Sequence, residues 1–146
     1  MIKAKSLAAI KTNTWVFAED SGLEVDGLNG LPGVHSARYA GDNASDAENR
    51  AKLLQMIKIR QIEQRSARFK AIIALISPTG EQHFFDGTME GTIAFKEAGT
   101  EGFGYDSIFI PTGEEKTNAE LGLAFKNKRS HRFEAGRKML DAFKKN

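Results

Sequence analysis

Residues 15–28 read WVFAEDSGLEVDGL, an apolar run that passes directly into four carboxylates, and this junction decides the fold. The run is short, aromatic and β-branched, so it predicts a buried strand. Glu19 and Asp20 then lie at its carboxyl end, where open α/β sheets bind ligands. If the extended backbone continues, Leu23 and Val25 face the core and Asp20 shares the opposite face with Glu24. Such charge density is typical of a metal site or of an acidic turn, and this stretch alone does not separate the two.

The composition is that of an ordinary globular domain. With 146 residues, 40% hydrophobic and 27% charged, the chain is long enough for one core, so we expect a single domain spanning residues 1–146. The net charge of +2 gives no reason to expect nucleic acid as the main partner. The sequence has no cysteine, which excludes disulfides and thiol catalysis and fits the cytoplasm. No apolar run resembles a membrane span or a signal peptide, so we expect no membrane partner.

Helix and strand signals alternate along the rest of the chain. Good helix formers predict a helix at 1–11, and a capping box at 45–48 predicts another over about 46–59. The apolar segment 67–77 and its partner 81–90 predict a hairpin, and 105–110 predicts a last strand. A second capping box begins at Thr117. Ser130 is expected to cap a final helix whose inward residues are Phe133, Met139, Leu140 and Phe143. The sum is an α/β domain with a mixed central sheet and flanking helices.

Two further stretches carry chemistry. Gly102-Phe103-Gly104-Tyr105-Asp106 places aromatic rings and a carboxylate on a backbone that glycine lets approach a ligand, although glycine-flanked aromatics also occur in cores. The segment 126–132, KNKRSHR, puts four cations and a histidine before a helix, an arrangement that suits anions or forms a solvated basic loop. Together with the acidic stretch, the two segments describe a site for a nucleotide and magnesium.

At this point the sequence resembles the inosine/xanthosine triphosphate pyrophosphatases, which remove non-standard purine nucleotides. The resemblance rests on segments in the family's order that cover nearly the whole chain: 18–26, 31–33 with 36–41, 102–106, and Lys126 with Ser130-His131-Arg132. It implies a two-lobed ITPase-like α/β fold, a homodimer or higher self-association, and magnesium-dependent attack of water on the α-phosphate of ITP, dITP or XTP. The products would be the nucleoside monophosphate and pyrophosphate.

The resemblance also implies a role for individual residues. Asp20 is similar to the family's metal ligand and general base, with Glu19 beside it at the metal. The residues similar to those that bind substrate are Ser21, Phe103, Gly104, Tyr105, Asp106, Lys126, His131 and Arg132. Among them, residues 103–106 resemble the loop that recognises the base, and Lys126, His131 and Arg132 resemble the residues that hold the purine at its 6-oxo edge. Lys3 falls near the place of a family lysine beside the phosphates.

The family pattern also contains an N-terminal strand, a phosphate loop and a second metal carboxylate that have no counterpart here, so an N-terminally truncated fold with weakened activity is expected. The alternative is a catalytically silent relative that serves as a nucleotide-binding or self-associating module. A third hypothesis, an RNA-binding domain built on residues 126–132, fits the modest net charge less well. Pyrophosphate release by the wild type and by an Asp20→Asn variant separates the first two.

Overall fold

The computed structural model describes residues 14–144, and the N-terminal helix expected at 1–11, with Lys3, lies outside them. The described part has one four-stranded sheet in the order β1-β2-β3-β4. Its strands are β1 (Val16–Val25), β2 (Ser66–Ile76), β3 (Gln82–Ile93) and β4 (Phe109–Pro111). The expected α/β class with helices flanking a sheet is confirmed. The pairings between these strands are all antiparallel, in contrast to the mixed sheet expected, because the chain from Val25 to Ser66 leaves and returns at the same end of the sheet.

Strand β1 does not stop at the acidic residues but runs through them. Leu23 and Val25 are fully buried, which confirms the alternation expected from an extended backbone. The apolar start of the strand is less buried than expected, because Phe17 is 65% exposed while Val16 and Ala18 are buried on the other face. The acidic stretch is therefore part of a strand, with Leu23 and Val25 buried on one face and Asp20 exposed on the other. It is not a turn.

Four α-helices accompany the sheet in the described part of the chain. They are α1 (Asp46–Ile59), α2 (Asn118–Leu121), α3 (Leu123–Arg129) and α4 (His131–Lys144). Both predicted capping boxes form, one before α1 through Ser45 and one before α2 through Thr117. At the start of α4, the hydroxyl of Ser130 accepts a hydrogen bond from the Phe133 amide, as expected of a cap. Within residues 14–144, no helix is long and apolar enough to cross a membrane.

The segment 105–110 was expected to be a strand, and this was wrong for its first half. Asp106–Ile108 form a 3₁₀ turn, and only Phe109–Pro111 pair with β3. Asp106 is 2% exposed and its carboxylate accepts the amide of Phe103, so a local side-chain bond replaces the sheet pairing that a strand would make. This turn brings the aromatic loop back toward β1.

The main core lies between the sheet and α1. Leu23, Leu53, Ile108 and Phe109 are fully buried there, and each contributes about 1.5–3 kcal/mol of hydrophobic free energy. A second cluster, in which Ala135 is fully buried, fixes α4 on the middle of the sheet. The inward orientation expected on α4 holds for Met139, which packs against this cluster. It was wrong for Phe133 and Leu140, which are 47% and 57% exposed, and the side chain of Phe143 is outside the described part.

Candidate active site

Three segments that are distant in sequence line one cavity of about 160 Å³. The first is the middle of β1, the second is the loop before the 3₁₀ turn, and the third is the junction of α3 and α4. Of the predicted substrate-binding residues, the structure brings eight together here: Ser21, Phe103, Gly104, Tyr105, Asp106, Lys126, His131 and Arg132. We call this cavity the aromatic pocket. The third segment reaches the first because α4 lies across β2 and β3 beside β1.

A residue outside the predicted site, Ser36, ties the pocket to β1. Its hydroxyl accepts the Leu23 amide at 2.9 Å and donates to the Gly33 carbonyl at 2.6 Å. The Tyr105 hydroxyl in turn donates to the Ser36 carbonyl at 2.6 Å. A Cβ at Gly22 would lie 2.6 Å from the Gly33 carbonyl oxygen, so only glycine permits this contact. Ser36 stands in a segment that carried the family resemblance, and that position was the only signal for it.

Asp106 has its hydrogen-bonding capacity engaged inside the protein. One carboxylate oxygen accepts the Phe103 amide at 3.0 Å and the Lys126 ammonium at 2.6 Å. The other faces the side-chain amide nitrogen of Asn118 at 3.4 Å. Asp106 and Lys126 are 2% and 9% exposed, so this is a buried ion pair that holds the loop and the lysine in one arrangement. Asn118 is a further residue that the sequence analysis missed.

The ring of Phe103 has two cations beside it. The Lys126 ammonium lies 4.1 Å from the ring centroid, and the guanidinium carbon of Arg132 lies 5.4 Å from it. Phe103 as a whole residue is 56% exposed. An exposed aromatic face next to cationic hydrogen-bond donors is a surface on which a planar ring with acceptor atoms at its edge can stack and be held.

His131 is a neutral side chain at the base of the pocket. Its ring stacks on Phe69 at 5.0 Å, and its Nε2 lies 2.5 Å from the Ser21 hydroxyl. Burial, followed by the charges of Arg132 and Lys126, lowers the pKa of His131 to about 3. The side chain is therefore uncharged at neutral pH. No partner for its buried Nδ1 is found among the described residues.

The two predicted metal ligands are not brought together. Asp20 lines a second cavity of about 130 Å³ with Lys70 and Gly33, and this cavity shares Ser21 and Gly22 with the aromatic pocket. We call it the acidic cavity. Glu19, the next residue along β1, belongs to the opposite face and is ion-paired with Arg132 at 2.7 Å. Residues 14–144 contain no group of three or more carboxylates or histidines that could hold a metal ion.

The matching family model, the similar proteins and the similar solved structures described below all belong to one family. The Ham1 family model matches residues 1–142. A dITP/XTP pyrophosphatase of Bdellovibrio bacteriovorus is 54% identical over 140 residues, which are 96% of this chain and 70% of that protein. One of Geobacter sulfurreducens is 48% identical over 90% of this chain and 66% of that protein. A HAM1 protein structure from Coxiella burnetii superposes with a TM-score of 0.92, at 39% identity, over 99% of this chain and 74% of that one. The Ham1 protein structure from Staphylococcus aureus gives 0.90, at 43% identity, over 98% and 72%.

Proposed function

This chain belongs to the Ham1 family, and we propose from this premise that it is a magnesium-dependent nucleoside triphosphate pyrophosphohydrolase acting on 6-oxo purine nucleotides such as ITP, dITP and XTP. The observation that carries the proposal is the meeting of three distant segments around the aromatic pocket. Two relatives at 54% and 48% identity are named for hydrolysis of dITP and XTP. The chain spans about 70% of the length of the first of them.

The aromatic pocket favours a purine with an oxygen at position 6. Phe103 offers a stacking face, and Lys126 and Arg132 offer only hydrogen-bond donors. A 6-oxo group accepts hydrogen bonds from such donors, whereas the 6-amino group of adenine presents donors to donors and leaves them unpaired. Unpaired polar groups in a partly buried site discriminate strongly against the wrong ligand. Asp106 acts in this scheme by holding Lys126, since its own oxygens are engaged within the protein.

The acidic cavity fits the phosphates. It adjoins the aromatic pocket at Ser21 and Gly22, so a nucleotide with its base in the pocket can extend toward Asp20 and Lys70. In the proposed reaction, Asp20 accepts a proton from the water that attacks the α-phosphorus, and the bond to the β-phosphate oxygen breaks. One triphosphate and one water give one nucleoside monophosphate and one pyrophosphate. Lys70 pairs with Glu24 at 3.5 Å, and its side chain is 49% exposed, so its ammonium would turn from Glu24 toward the departing anion.

The donor set fits a magnesium ion that is held mainly by its substrate. Asp20 is exposed at the acidic cavity, and Mg²⁺ commonly binds through one or two carboxylates, water and substrate phosphates. Asp20 is therefore the residue of this chain that would hold it. When bound, the ion would neutralise the negative charge that develops on the phosphate oxygens. Glu19 is left out of this proposed metal site, because its carboxylate faces Arg132.

The test is pyrophosphate release from dITP, XTP and dATP with Mg²⁺, by the wild type and by Asp20→Asn. We expect release from dITP and XTP, little from dATP, and a loss of about 100-fold or more in the variant, typical of losing a general base. Chelation of the metal should abolish release from all substrates. As a matched control, Glu90→Gln removes an exposed carboxylate of the same sheet that pairs with Arg68, away from both cavities, and should change nothing.

Binding of inosine monophosphate, measured by calorimetry, separates the outcomes. Binding with hydrolysis that depends on Asp20 supports the proposal. Binding without hydrolysis in either protein would favour the alternative of a silent nucleotide-binding module. If neither binding nor hydrolysis occurs, the aromatic pocket is not a purine site.

A further inference from the structure

We infer that Glu19 is a positioning residue of the base site, whose carboxylate holds the Arg132 guanidinium beside the Phe103 ring. The inference rests on the proposed function and deepens it, since it assigns the acidic pair Glu19-Asp20 to two different tasks. Asp20 serves the phosphates and the metal, and Glu19 serves the nucleobase. Glu19 is therefore not a metal ligand.

The first observation is the alternation of β1. Successive side chains of a strand point to opposite faces, so Glu19 shares a face with Ser21 and Leu23, and Asp20 belongs to the other face. The contacts agree with this division. Ser21 and Glu19 bond to consecutive residues at the start of α4, His131 and Arg132. Asp20 instead lines the acidic cavity, and its carboxylate accepts the Ser21 amide at 3.0 Å. One ion cannot take both carboxylates while the strand keeps this geometry.

The second observation is how Arg132 uses its donors. Its Nε–H donates to Glu19 Oε1 at 2.7 Å, across 113 positions of sequence. The two terminal amino groups have no hydrogen-bond partner within residues 14–144, and the guanidinium lies 5.4 Å from the Phe103 ring centre. A hydrogen bond at Nε fixes one direction within the rigid, planar guanidinium and so limits the orientations of its two terminal amino groups. Glu19 thereby sets the direction in which the remaining donors meet a base stacked in the pocket.

The third observation is electrostatic. Lys126 and Arg132 lie beside the same ring and repel each other. The Lys126 ammonium is held by buried Asp106, whereas the side chain of Arg132 is 42% exposed and pairs with Glu19. Glu19 provides the carboxylate that offsets this repulsion. The pocket thus has two cation–carboxylate pairs near the Phe103 ring, the buried pair of Lys126 with Asp106 and the exposed pair of Arg132 with Glu19.

The ion pair is tested directly by nuclear magnetic resonance of the metal-free protein without nucleotide. The Arg132 Nε–H signal is assigned through its loss in Arg132→Lys. We expect a slowly exchanging signal in the wild type that shifts and exchanges faster in Glu19→Ala, with an intermediate effect in Glu19→Gln, whose amide oxygen still accepts one hydrogen bond. Asp20→Asn and Glu90→Gln should leave the signal unchanged. Wild-type-like exchange in Glu19→Ala would show that the carboxylate does not hold the arginine.

The positioning role is tested by calorimetry with inosine monophosphate in the presence of a chelator. Glu19→Ala should weaken binding about fivefold, the scale of one exposed ion pair, and Glu19→Gln by less. Asp20→Asn should bind at least as tightly as the wild type, because it removes a negative charge beside the phosphate of the nucleotide. In assays of dITP hydrolysis, Glu19→Ala should raise KM and leave unchanged the Mg²⁺ concentration that gives half-maximal rate. Circular dichroism checks that the variants are folded.

The outcomes separate the inference from the function beneath it. Metal-free affinity unchanged by Glu19→Ala, with a raised Mg²⁺ requirement, would make Glu19 a metal ligand and overturn the inference while the proposed function stands. If the wild type itself does not bind inosine monophosphate, the proposed function falls, and the base-positioning role falls with it.

Discussion

Gly87 lies in β3 where the backbone of α4 passes directly over the sheet, and Gly87→Ala tests whether that close approach holds the pocket together. A Cβ at this position would lie 1.9 Å from the His131 carbonyl oxygen and 2.6 Å from the Ala135 amide nitrogen. Real Cβ contacts essentially never fall below 3.0 Å, so the helix backbone must move by at least about 1.1 Å. Both atoms belong to backbone, and no flexible side chain can yield instead.

The expected cost follows from this geometry. Overpacking typically costs about 1–3 kcal/mol, and displacement of a helix backbone should lie near or above the upper end. A loss of about 3 kcal/mol corresponds to a fall of roughly 6–12 °C in the melting temperature of a chain of this size. The displaced residue is also a pocket residue, because His131 stacks on Phe69 and meets Ser21. Binding of inosine monophosphate should therefore weaken together with stability.

The assay is urea unfolding followed by circular dichroism, with calorimetry for binding. Gly136→Ala is the matched control, since it adds the same methyl group to α4 at a position where, apart from the adjoining helix backbone, no atom of the described residues lies within 4 Å of the new Cβ. That change should stabilise the protein by about 0.5–1 kcal/mol, the gain of alanine over glycine in a helix. If Gly87→Ala unfolds at the wild-type urea concentration, the packing of α4 on β3 described here is wrong.

Three further predictions concern charge and surface. Because burial first, and then neighbouring cations, lower the pKa of His131 to about 3, the unfolded chain binds its proton at higher pH than the folded one. The free energy of unfolding should thus fall on acidification from about pH 6.5 to about pH 3, by up to about 1.4 kcal/mol per pH unit, and urea unfolding at several pH values should show a shallower fall in His131→Gln. Asp106→Asn leaves the buried Lys126 ammonium without its carboxylate and should lower the free energy of unfolding, measured by chemical denaturation, by about 3–5 kcal/mol. A double variant with Asp106→Leu and Lys126→Met, which removes both charges, should recover a large part of this loss. Ile72 and Phe84, 41% and 55% exposed on the sheet face away from α4, support the prediction of self-association, which a single species of one-chain mass in light scattering would contradict.

Local signals predicted the helices well. The helix over 46–59 and both capping boxes were confirmed because a cap is a bond between residues three apart, and such a bond forms whatever the rest of the chain does. The hairpin of β2 and β3 was confirmed for the same reason, since its turn residues and apolar runs are neighbours in sequence. The segment 105–110 was predicted less well, because Asp106 bonds to Phe103 and Lys126, and a pattern of apolar residues does not report such contacts.

The residues of the aromatic pocket were predicted largely through the family resemblance, and eight of them line one cavity. The separation of Glu19 from Asp20 was not predicted. The family resemblance placed both Glu19 and Asp20 at the metal, yet adjacent side chains of a strand point to opposite faces. Ser36 and Asn118 carried no chemical signal of their own, since a serine or asparagine acquires its role only from the atoms that the fold places beside it.

The sequence by itself determined where most of the described helices begin and which segments pair as a hairpin. It also determined which carboxylate, aromatic and cationic side chains were available to bind a ligand. Those properties depend on interactions between residues a few positions apart. Only the tertiary structure decided that Glu19 forms an ion pair with Arg132, 113 positions away in sequence, and that Asp106 forms one with Lys126. It also decided that His131 is buried enough to stay neutral. The physical reason is that charge, burial and hydrogen-bond partnership depend on distance in space, and α4 can lie this close to the sheet because Gly87 leaves room for its backbone.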